Sequence, residues 1–372
     1  MAGKIRLGVV GASTGSIWAA RSHLAALPHS ADFELTAVCT TKPDSAEAAR
    51  QQYGAKLAFH DYRAMAASPE IDAVAVVVRV PSHYEPTRAA IEAGKHVYTE
   101  WPLGRTTAEA EELAALARAR GVRTAVGLQS RVSPVLCYMK ELLATGHIGE
   151  LVACRVGLMR EGVLARTSGR TWQRDVTLGA HTLTIANGHT LDALRFVAGD
   201  FDRLSGAVTT QVRQWYETDT RRMLDVTSPD NITVCGHLAG GAVVSSHVAA
   251  VPWAGSGYRM ELYGREGTLV ATAEDSPQLC EVTLHGAQRG NQLQVMPVPP
   301  HFIHVPPGLP QGNAYNVGEM YCAFARAIRA EGSQDGGPQL PDFDLAVDLH
   351  RFIDAISLAS ASTEEVHFSA RK

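Results

Sequence analysis

The sequence lacks long hydrophobic runs, paired cysteines and a strong charge bias, and each absence excludes a class of protein. No stretch approaches the roughly 20 apolar residues that a membrane-spanning helix needs. The first residues are charged and run directly into a predicted strand, so we expect no signal peptide. The formal net charge of −4 gives no electrostatic reason to expect a nucleic acid or an anionic membrane as partner. Repeats and low-complexity segments are also absent.

The six cysteines are scattered, without a C-x-x-C pair or any spacing typical of a metal site. Most lie in apolar contexts such as TAVCT and ITVCG. This favours buried free thiols over disulfides and indicates a reducing, cytoplasmic location.

The first 130 residues alternate between predicted strands and predicted helices. A chain of 372 residues with 45% apolar and 19% charged residues is typical of a two-domain globular enzyme. The run AVAVVV is continuously apolar, as expected for a strand of a parallel sheet covered on both faces. This pattern predicts a Rossmann dinucleotide-binding domain over residues 1–128. The strands are predicted at 5–10, 35–39, 73–80, 96–99 and 124–127, and the helices at 17–27, 45–53, 83–93 and 107–120.

The pattern changes after residue 133, where strand candidates follow one another without helices between them. Adjacency of this kind favours an open, mostly antiparallel sheet in an α+β domain over residues 129–372, so the fold class is α/β overall. We expect its helices on one face of the sheet and a proline-rich loop at 296–310. The strands are predicted at 149–157, 203–209, 231–238, 241–249, 259–263, 267–271 and 280–284, and the helices at 135–144, 178–197, 317–329 and 343–360.

A glycine-rich turn separates the first strand from the first helix. Gly8, Gly11 and Gly15 have the spacing G-x-x-G-x-x-x-G, which departs from the strict G-x-G-x-x-G, and Ser13 stands where a second glycine would be. Such a turn leaves room for a pyrophosphate at a helix N-terminus, whereas the alternative is a plain structural turn. The predicted cofactor-binding residues of the turn are Gly11, Ser13, Thr14, Gly15, Ser16 and Ile17.

The end of the second strand favours NADP over NAD. An acidic residue there would repel a 2′-phosphate, but the chain has Thr40, Thr41 and Lys42 instead. Two hydroxyls and an ammonium group suit a 2′-phosphate. The alternative is that Lys42 is a solvated loop lysine and that the site takes either cofactor.

Four further stretches, together with the turn, resemble the glucose–fructose oxidoreductase/inositol dehydrogenase/rhizopine-catabolism (Gfo/Idh/MocA) family. Residues 98–103 (YTEWPL) resemble its E-K-P motif, and residues 80–83 (VPSH) resemble its strand-end segment. Residues 261–269 (ELYGREGTL) and 188–192 (GHTLD) resemble its sheet segment and its histidine signature. Trp101 stands in place of the motif lysine, and in this respect the chain resembles the branch of the yeast galactose repressor and its bacterial oxidoreductase-like relatives.

The resemblance implies a nicotinamide cofactor, a small carbohydrate-like substrate and a sheet face that forms subunit contacts. We therefore expect a homodimer or homotetramer, with no nucleic-acid or membrane partner. The cofactor-binding residues that it implies beyond the turn are Val80, Pro81, His83, Glu100, Trp101 and Pro102.

Two of the three proton-transfer groups of typical members are missing. The motif lysine is replaced by Trp101 and the aspartate four residues before the signature histidine by Ile185, which leaves His189. An imidazole titrates in the range that acid–base catalysis needs, so His189 is the predicted acid/base. The alternative is a buried histidine bonded to a neighbour such as Asp192, on the same predicted helix face.

Weaker candidates surround this assignment. His181, eight residues earlier on about the same predicted face, and Tyr258 are further candidates for the acid/base. Trp101 is expected to act by shape against the nicotinamide or a sugar ring. The predicted substrate contacts are Trp101, Arg131, Arg160, Trp172 and His189. Since His301 and His304 have no third ligand at a defined spacing, we expect no metal.

Three functions are compatible with these residues. The first is an NAD(P)-dependent oxidoreductase that transfers hydride to or from a sugar, polyol or other small hydroxy or carbonyl compound, which we favour. The second is a non-catalytic regulatory protein that senses NAD(P) or a sugar. The third is a redox-neutral enzyme that retains its cofactor.

Overall fold

The computed structural model describes residues 3–329 and 340–368, and the chain divides into two compact units. Unit 1 consists of Met1–Val132 and Ile303–Asp348, and unit 2 of Ser133–Phe302 and Leu349–Lys372. Each unit is therefore built from two separate segments of the chain. No helix within the described ranges has both the length and the apolar content required to cross a membrane.

Unit 1 contains a six-stranded sheet in which every pair of neighbours is parallel. The strand order is β3-β2-β1-β4-β5-β6, with the first strand near the middle. This is the predicted Rossmann-like sheet, which the structure confirms. The strands are β1 (Ile5–Val10), β2 (Phe33–Cys39), β3 (Leu57–Phe59), β4 (Ala73–Val76), β5 (His96–Thr99) and β6 (Thr124–Val126).

Two of the helices between these strands, the fourth and the sixth, begin at a side chain that accepts a free backbone N–H. The Asp61 carboxylate accepts the Arg63 N–H at 2.9 Å, and the Thr106 hydroxyl accepts the Glu109 N–H at 3.3 Å. The helices are α1 (Ile17–Arg21), α2 (His23–Ala26), α3 (Pro43–Tyr53), α4 (Tyr62–Ala67), α5 (Tyr84–Glu92) and α6 (Thr107–Arg120).

Unit 2 contains a nine-stranded sheet whose neighbours are antiparallel except for one parallel pair, which confirms the mostly antiparallel prediction. Its order is β17-β16-β15-β14-β7-β13-β12-β9-β18, and β8, β10 and β11 form a separate small sheet. The elements are α7 (Pro134–Ala144), β7 (Leu151–Glu161), β8 (Ala165–Arg166), α8 (Gly188–Ala198), β9 (Phe201–Thr209), β10 (Gln214–Glu217), β11 (Arg222–Asp225), β12 (Asn231–Leu238), β13 (Val243–Val251), β14 (Gly257–Gly264), β15 (Gly267–Ala273), β16 (Thr283–Gln288) and β17 (Gln294–Val295).

The last elements are α9 (Asn313–Arg329), α10 (Phe343–Ser362) and β18 (Val366–His367). Helix α9 belongs to unit 1 and contributes aromatic side chains to its core. Phe324 stacks on Phe33 with ring centroids 5.8 Å apart, and Tyr321 meets Tyr98 edge-on at 5.8 Å. Aromatic pairs at these distances add to the free energy gained by burial.

Several predicted elements differ from the structure in their bounds, and three helices or strands are replaced in part by another conformation. The helix predicted at 17–27 is interrupted at Ser22, whose hydroxyl donates to the Trp18 carbonyl oxygen at 2.6 Å. The strand predicted at 73–80 ends at Val76, and a short 3₁₀ turn, Val80–Ser82, follows. The helix predicted at 178–197 is regular only from Gly188, because a π-helical turn (Leu183–Asn187) precedes it.

The six cysteines are all free thiols. Cys39 and Cys154 are buried, and burial raises the pKa of each to about 12. Cys235 is exposed, contrary to the expectation of buried thiols, because it lies at an outward-facing position of β12 between buried Val234 and partly buried Gly236.

Candidate functional site

The predicted residues of unit 1 lie at the carboxyl edge of the parallel sheet. The segments that leave β1, β2, β4 and β5 carry the glycine turn, the Thr40–Lys42 segment, the Val80–His83 segment and the Glu100–Pro102 segment, respectively. The carboxyl ends of the strands of a doubly wound sheet form its ligand crevice. The topology therefore brings the predicted cofactor-binding residues to one edge of unit 1.

Position 11 requires glycine because the backbone at Val77 approaches it closely. Its φ is +94°, and a Cβ at this position would lie 2.1 Å from the Val77 carbonyl oxygen. We predicted that this glycine leaves room for a phosphate, but the structure shows that the segment after β4 already occupies the space where its side chain would be.

Gly15, unlike Gly11, borders open space of the kind that a bound phosphate needs. A Cβ there would have Ser13 Oγ, 3.9 Å away, as its nearest neighbour, so the space beside this glycine is free of described protein atoms. Thr14 and Gly15 are exposed, and Ile17 is 67% exposed although it is apolar. The Gly15 N–H points to Ser13 Oγ at 3.4 Å. These features fit a pyrophosphate and an apolar ring resting on the turn.

The three residues that follow β2 differ in how far their side chains are exposed to solvent. The Thr40 side chain is buried, and its hydroxyl bonds to Ser45 Oγ at 2.6 Å and to the Lys42 carbonyl oxygen at 3.1 Å. Thr41 and Lys42 are exposed. Thr40 therefore holds the start of α3, and Thr41 and Lys42 are the side chains available to a ligand.

His83 joins two of the segments at the sheet edge. Its ring is 1% exposed, with Nδ1 2.7 Å from the Pro102 carbonyl oxygen and Nε2 3.0 Å from the Val78 carbonyl oxygen. Burial lowers the pKa of His83, so the neutral ring donates to one of these carbonyls at a time. His83 thereby positions the loop that contains Trp101 and the cis peptide to Pro102.

A buried polar network lies beneath this edge, and the sequence analysis missed most of it. His23 Nε2 is 2.6 Å from Glu100 Oε1, and His23 Nδ1 is 2.7 Å from the Tyr321 hydroxyl. The Gln129 amide donates to Glu100 Oε2 at 3.2 Å and to the Tyr98 hydroxyl at 3.3 Å. Glu100 is therefore held from beneath, and Trp101, which follows it, is 5% exposed.

In unit 2, His189 lies in the first turn of α8 and is 5% exposed. The π-helical turn before it contains Ile185, the position at which typical members carry aspartate. Asp192 follows on the same helix and is also buried. The packing of α8 thus places an imidazole where its ring is largely shielded from water.

The two weaker acid/base candidates have unfavourable surroundings. Burial lowers the pKa of His181 to about 4, and it precedes the π-helical turn, so α-helical spacing does not place it on the face of His189. Burial also raises the pKa of Tyr258 far above its ordinary value, and its hydroxyl has no hydrogen-bond partner among the described residues. Neither group is poised to exchange a proton near neutral pH.

The predicted substrate contacts are spread over both units. Arg131 is in the 3₁₀ turn Gln129–Val132 of unit 1. In unit 2, Arg160 lies near the end of β7 and pairs with Asp275 at 2.6 Å, and Trp172 lies in the 3₁₀ turn Thr171–Arg174.

The proline-rich loop contains an ion pair of unit 1. His304 Nδ1 is 3.0 Å from Glu319 Oε2, and the backbone N–H groups of His304 and Val305 donate to the other carboxylate oxygen. Glu319 is fully buried, and burial raises its pKa. Within residues 3–329 and 340–368, no three histidine, cysteine or acidic side chains are grouped so as to hold a metal ion.

Comparison with known proteins relates both parts of the chain to one family. Residues 5–128 match the family model described as oxidoreductase family, NAD-binding Rossmann fold, and residues 137–270 match the GFO/IDH/MocA C-terminal domain. Dehydrogenase aclE of Aspergillus oryzae is 36% identical over 248 residues, which cover 64% of this chain and 68% of that protein.

Two further relatives differ in what their names say they do. The galactose/lactose metabolism regulatory protein GAL80 of Kluyveromyces lactis is 27% identical over 257 residues, covering 64% of this chain and 56% of that protein. The solved structure of levoglucosan dehydrogenase in complex with NADH and L-sorbose has a TM-score of 0.84 at 20% identity and covers 99% of this chain and 100% of that one. This structural likeness shows the fold.

Proposed function

Because the chain belongs to the Gfo/Idh/MocA oxidoreductase family, we propose that it is an NAD(P)-dependent oxidoreductase acting on a sugar, polyol or other small hydroxy or carbonyl compound. The observation that carries the proposal is the retention of His189, buried in the first turn of α8, although the other two proton-transfer groups are replaced. Dehydrogenase aclE, which is 36% identical to this chain, supports this reading.

The proposed chemistry needs one proton-transfer group. When bound, the nicotinamide supplies the hydride acceptor or donor, and a proton leaves or reaches the substrate oxygen as the hydride moves. Trp101 and Ile185 have no group that titrates near neutral pH. We therefore assign this proton to the imidazole of His189 and assign to Trp101 the role of an apolar wall.

The cofactor is proposed to be NADP in preference to NAD. The support is the pair of exposed side chains Thr41 and Lys42 after β2, at a point where an acidic residue would repel a 2′-phosphate. Gly15, with free space beside it, is proposed to lie against the pyrophosphate.

The test combines a binding measurement with a substrate screen. Purified protein is titrated with NADP⁺ and NAD⁺, and the complex is screened against neutral sugars, polyols and their oxidation products at the nicotinamide absorbance band. Steady oxidation or reduction of the cofactor supports the oxidoreductase. Conversion of a substrate with the cofactor returned unchanged would support the redox-neutral enzyme and contradict the net oxidoreductase.

A second candidate function is a regulatory binding protein. It is favoured by the 27% identity to GAL80 together with the replacement of two proton-transfer groups by Trp101 and Ile185. A protein that binds NAD(P) tightly, turns over no compound and captures a protein partner in a cofactor-dependent way would support this function against the enzyme.

A further inference from the structure

Three arginines lie on successive segments of unit 2, and we call them the arginine cluster: Arg160, Arg166 and Arg170. Arg160 is near the end of β7, Arg166 is the last residue of β8, and Arg170 directly precedes the 3₁₀ turn that contains Trp172. Their charges influence one another, since those of Arg170 and Arg160 both act to lower the pKa of Arg166.

The guanidinium of Arg166 is fixed by neighbouring side chains but has no anionic partner among the described residues. It is partly buried, its central carbon lies 3.9 Å from the centre of the Trp215 ring, and its Nη1 donates to Gln173 Oε1 at 2.6 Å. No carboxylate pairs with it in the described part of the chain. Burial is the largest cause that brings the pKa of Arg166 down to about 10.

Two neighbouring acidic groups, Asp275 and Glu217, are already committed to other partners. Asp275 holds Arg160 through two contacts, Nε to Oδ1 at 2.6 Å and Nη2 to Oδ2 at 2.9 Å. Glu217 lies opposite Arg166 in the pairing of β8 with β10, but its carboxylate bonds to Thr171, Thr220 and Arg222. Asp275 thus pairs with Arg160, and neither Arg166 nor Arg170 forms an ion pair with a carboxylate of the described residues.

Arg170 adds a charge that is open to solvent. Its side chain is exposed and forms no ion pair with any described residue. Burial around the guanidinium is the largest cause that lowers the pKa of Arg170, the charge of Arg160 acts in the same direction, and the charge of Asp275 acts in the opposite direction. Trp215, on which Arg166 stacks, also has a buried indole N–H with no acceptor among the residues described. The cluster therefore combines excess positive charge with an unused donor beside it.

Like charges held together without an anion cost free energy, whereas a carboxylate or phosphate can accept paired hydrogen bonds from guanidinium groups. We propose that Arg160, Arg166 and Arg170 bind the carboxylate or phosphate group of a small ligand. The anion site rests on the arginines alone. The further statement that the ligand is an anionic sugar, either a sugar acid or a sugar phosphate, rests on the proposed function.

The test is isothermal titration calorimetry of the full chain without cofactor, using D-glucuronate, D-glucose 6-phosphate, inorganic phosphate and neutral D-glucose. We expect saturable binding of at least one anion, weakened by added salt, and no binding of glucose at the same concentration. Glucuronate without phosphate binding would identify a carboxylate site, and the reverse would identify a phosphate site. Arg170→Ala and Arg166→Gln should each weaken this binding about tenfold or more.

Arg289→Ala is the matched control, because it removes the same formal charge from unit 2. Arg289 is exposed and pairs with Glu266 at 2.8 Å, outside the cluster, so this variant should bind as the wild type does. Since Arg170 is exposed, its variant also keeps the test valid if Arg166→Gln fails to fold. Near-ultraviolet circular dichroism checks the fold of each protein.

The site proposal is overturned if no anion binds saturably up to about 10 mM, or if Arg170→Ala and Arg289→Ala bind equally well. Its failure is distinguishable from failure of the proposed function. Turnover of neutral sugars without anion binding would remove the arginine site and leave the oxidoreductase. Anion binding without turnover of any compound would leave the site and remove the oxidoreductase.

Discussion

At the scale of single residues, the proposed chemistry depends on His189. His189→Ala should lower kcat by roughly a hundred- to ten-thousand-fold, because that is the usual contribution of a general acid or base. The dissociation constant of the cofactor should be unchanged, as measured by fluorescence titration. His29→Ala, at an exposed histidine in a turn before β2, is the control. Near-normal turnover of the His189 variant would show that this histidine serves packing only.

Two glycines of the same turn should respond differently to substitution. Gly15→Val places its side chain in free space, so the protein should remain folded while its affinity for NAD(P) falls by at least about a hundredfold. Gly11→Ala should instead lower the melting temperature, because its Cβ meets the Val77 carbonyl oxygen and its φ is +94°. Thermal unfolding and cofactor titration of both variants separate these effects. Unchanged affinity in Gly15→Val would contradict the placement of the cofactor.

Lys42 should decide between the two nicotinamide cofactors. Lys42→Ala should weaken NADP binding about tenfold and leave NAD binding unchanged, because only NADP carries the 2′-phosphate that an ammonium group attracts. Lys56→Ala is a control in the same region, since Lys56 pairs with Glu34 at 2.9 Å. Equal dissociation constants for the two cofactors in the wild type would show that this lysine is only solvated.

The residues at the sheet edge could be predicted from the sequence because each follows a strand that its apolar run reveals. The hydrogen-bond partners of Glu100 could not be predicted from the sequence. His23 and Tyr321 are 298 positions apart, and nothing in the local sequence of either residue indicates that the His23 imidazole bonds to the Tyr321 hydroxyl. The arginine cluster was only partly anticipated, since Arg160 was predicted as a substrate contact while Arg166 and Arg170 join it through the short strand β8 and the loop after it.

At the scale of elements, apolar runs predicted burial better than conformation. Val77 is buried, as the run AVAVVV indicates, yet it lies beyond the end of β4. Strand β3 and helix α4 span three and six residues, which is too short for a periodic pattern to reveal. The π-helical turn before α8 was not predicted, because its apolar residues resemble those of an α-helix.

The segment that leads into this turn makes stability depend on pH through His181. The native pKa is about 4 against an ordinary value of 6.5, so the unfolded chain binds a proton that the native protein does not. The contribution to stability is complete above pH 6.5 and is lost as the pH falls from 6.5 to 4. Between pH 7 and pH 5 this loss is about 2 kcal/mol.

His181→Gln removes this titration. The free energy of unfolding in urea should therefore fall less in the variant than in the wild type between pH 7 and pH 5, by about the same 2 kcal/mol. A parallel pH dependence in the two proteins would contradict the burial of a neutral imidazole at this position.

At the scale of the whole molecule, unit 1 is completed by a distant segment. Residues 1–132 alone lack α9, whose Tyr321 and Phe324 pack against Phe33 and Tyr98. This fragment should show no cooperative thermal unfolding, whereas residues 1–132 joined to residues 303–348 by a flexible linker should unfold cooperatively. In the joined fragment, Phe324→Ala should cost roughly 3–5 kcal/mol of stability. Cooperative unfolding of residues 1–132 alone would show that α9 is dispensable.

The bond between His23 Nδ1 and the Tyr321 hydroxyl can form only late in synthesis on the ribosome. Its two partners are 298 residues apart, so at roughly 5–20 residues per second Tyr321 is made about 15–60 s after His23. From the synthesis of Glu100 until that of Tyr321, the Glu100–His23 pair and the aromatic surface that α9 covers have no partner from this helix. A nascent chain is therefore exposed to chaperones and proteases for much of its translation, and codons that slow the ribosome between these two residues would lengthen that exposure.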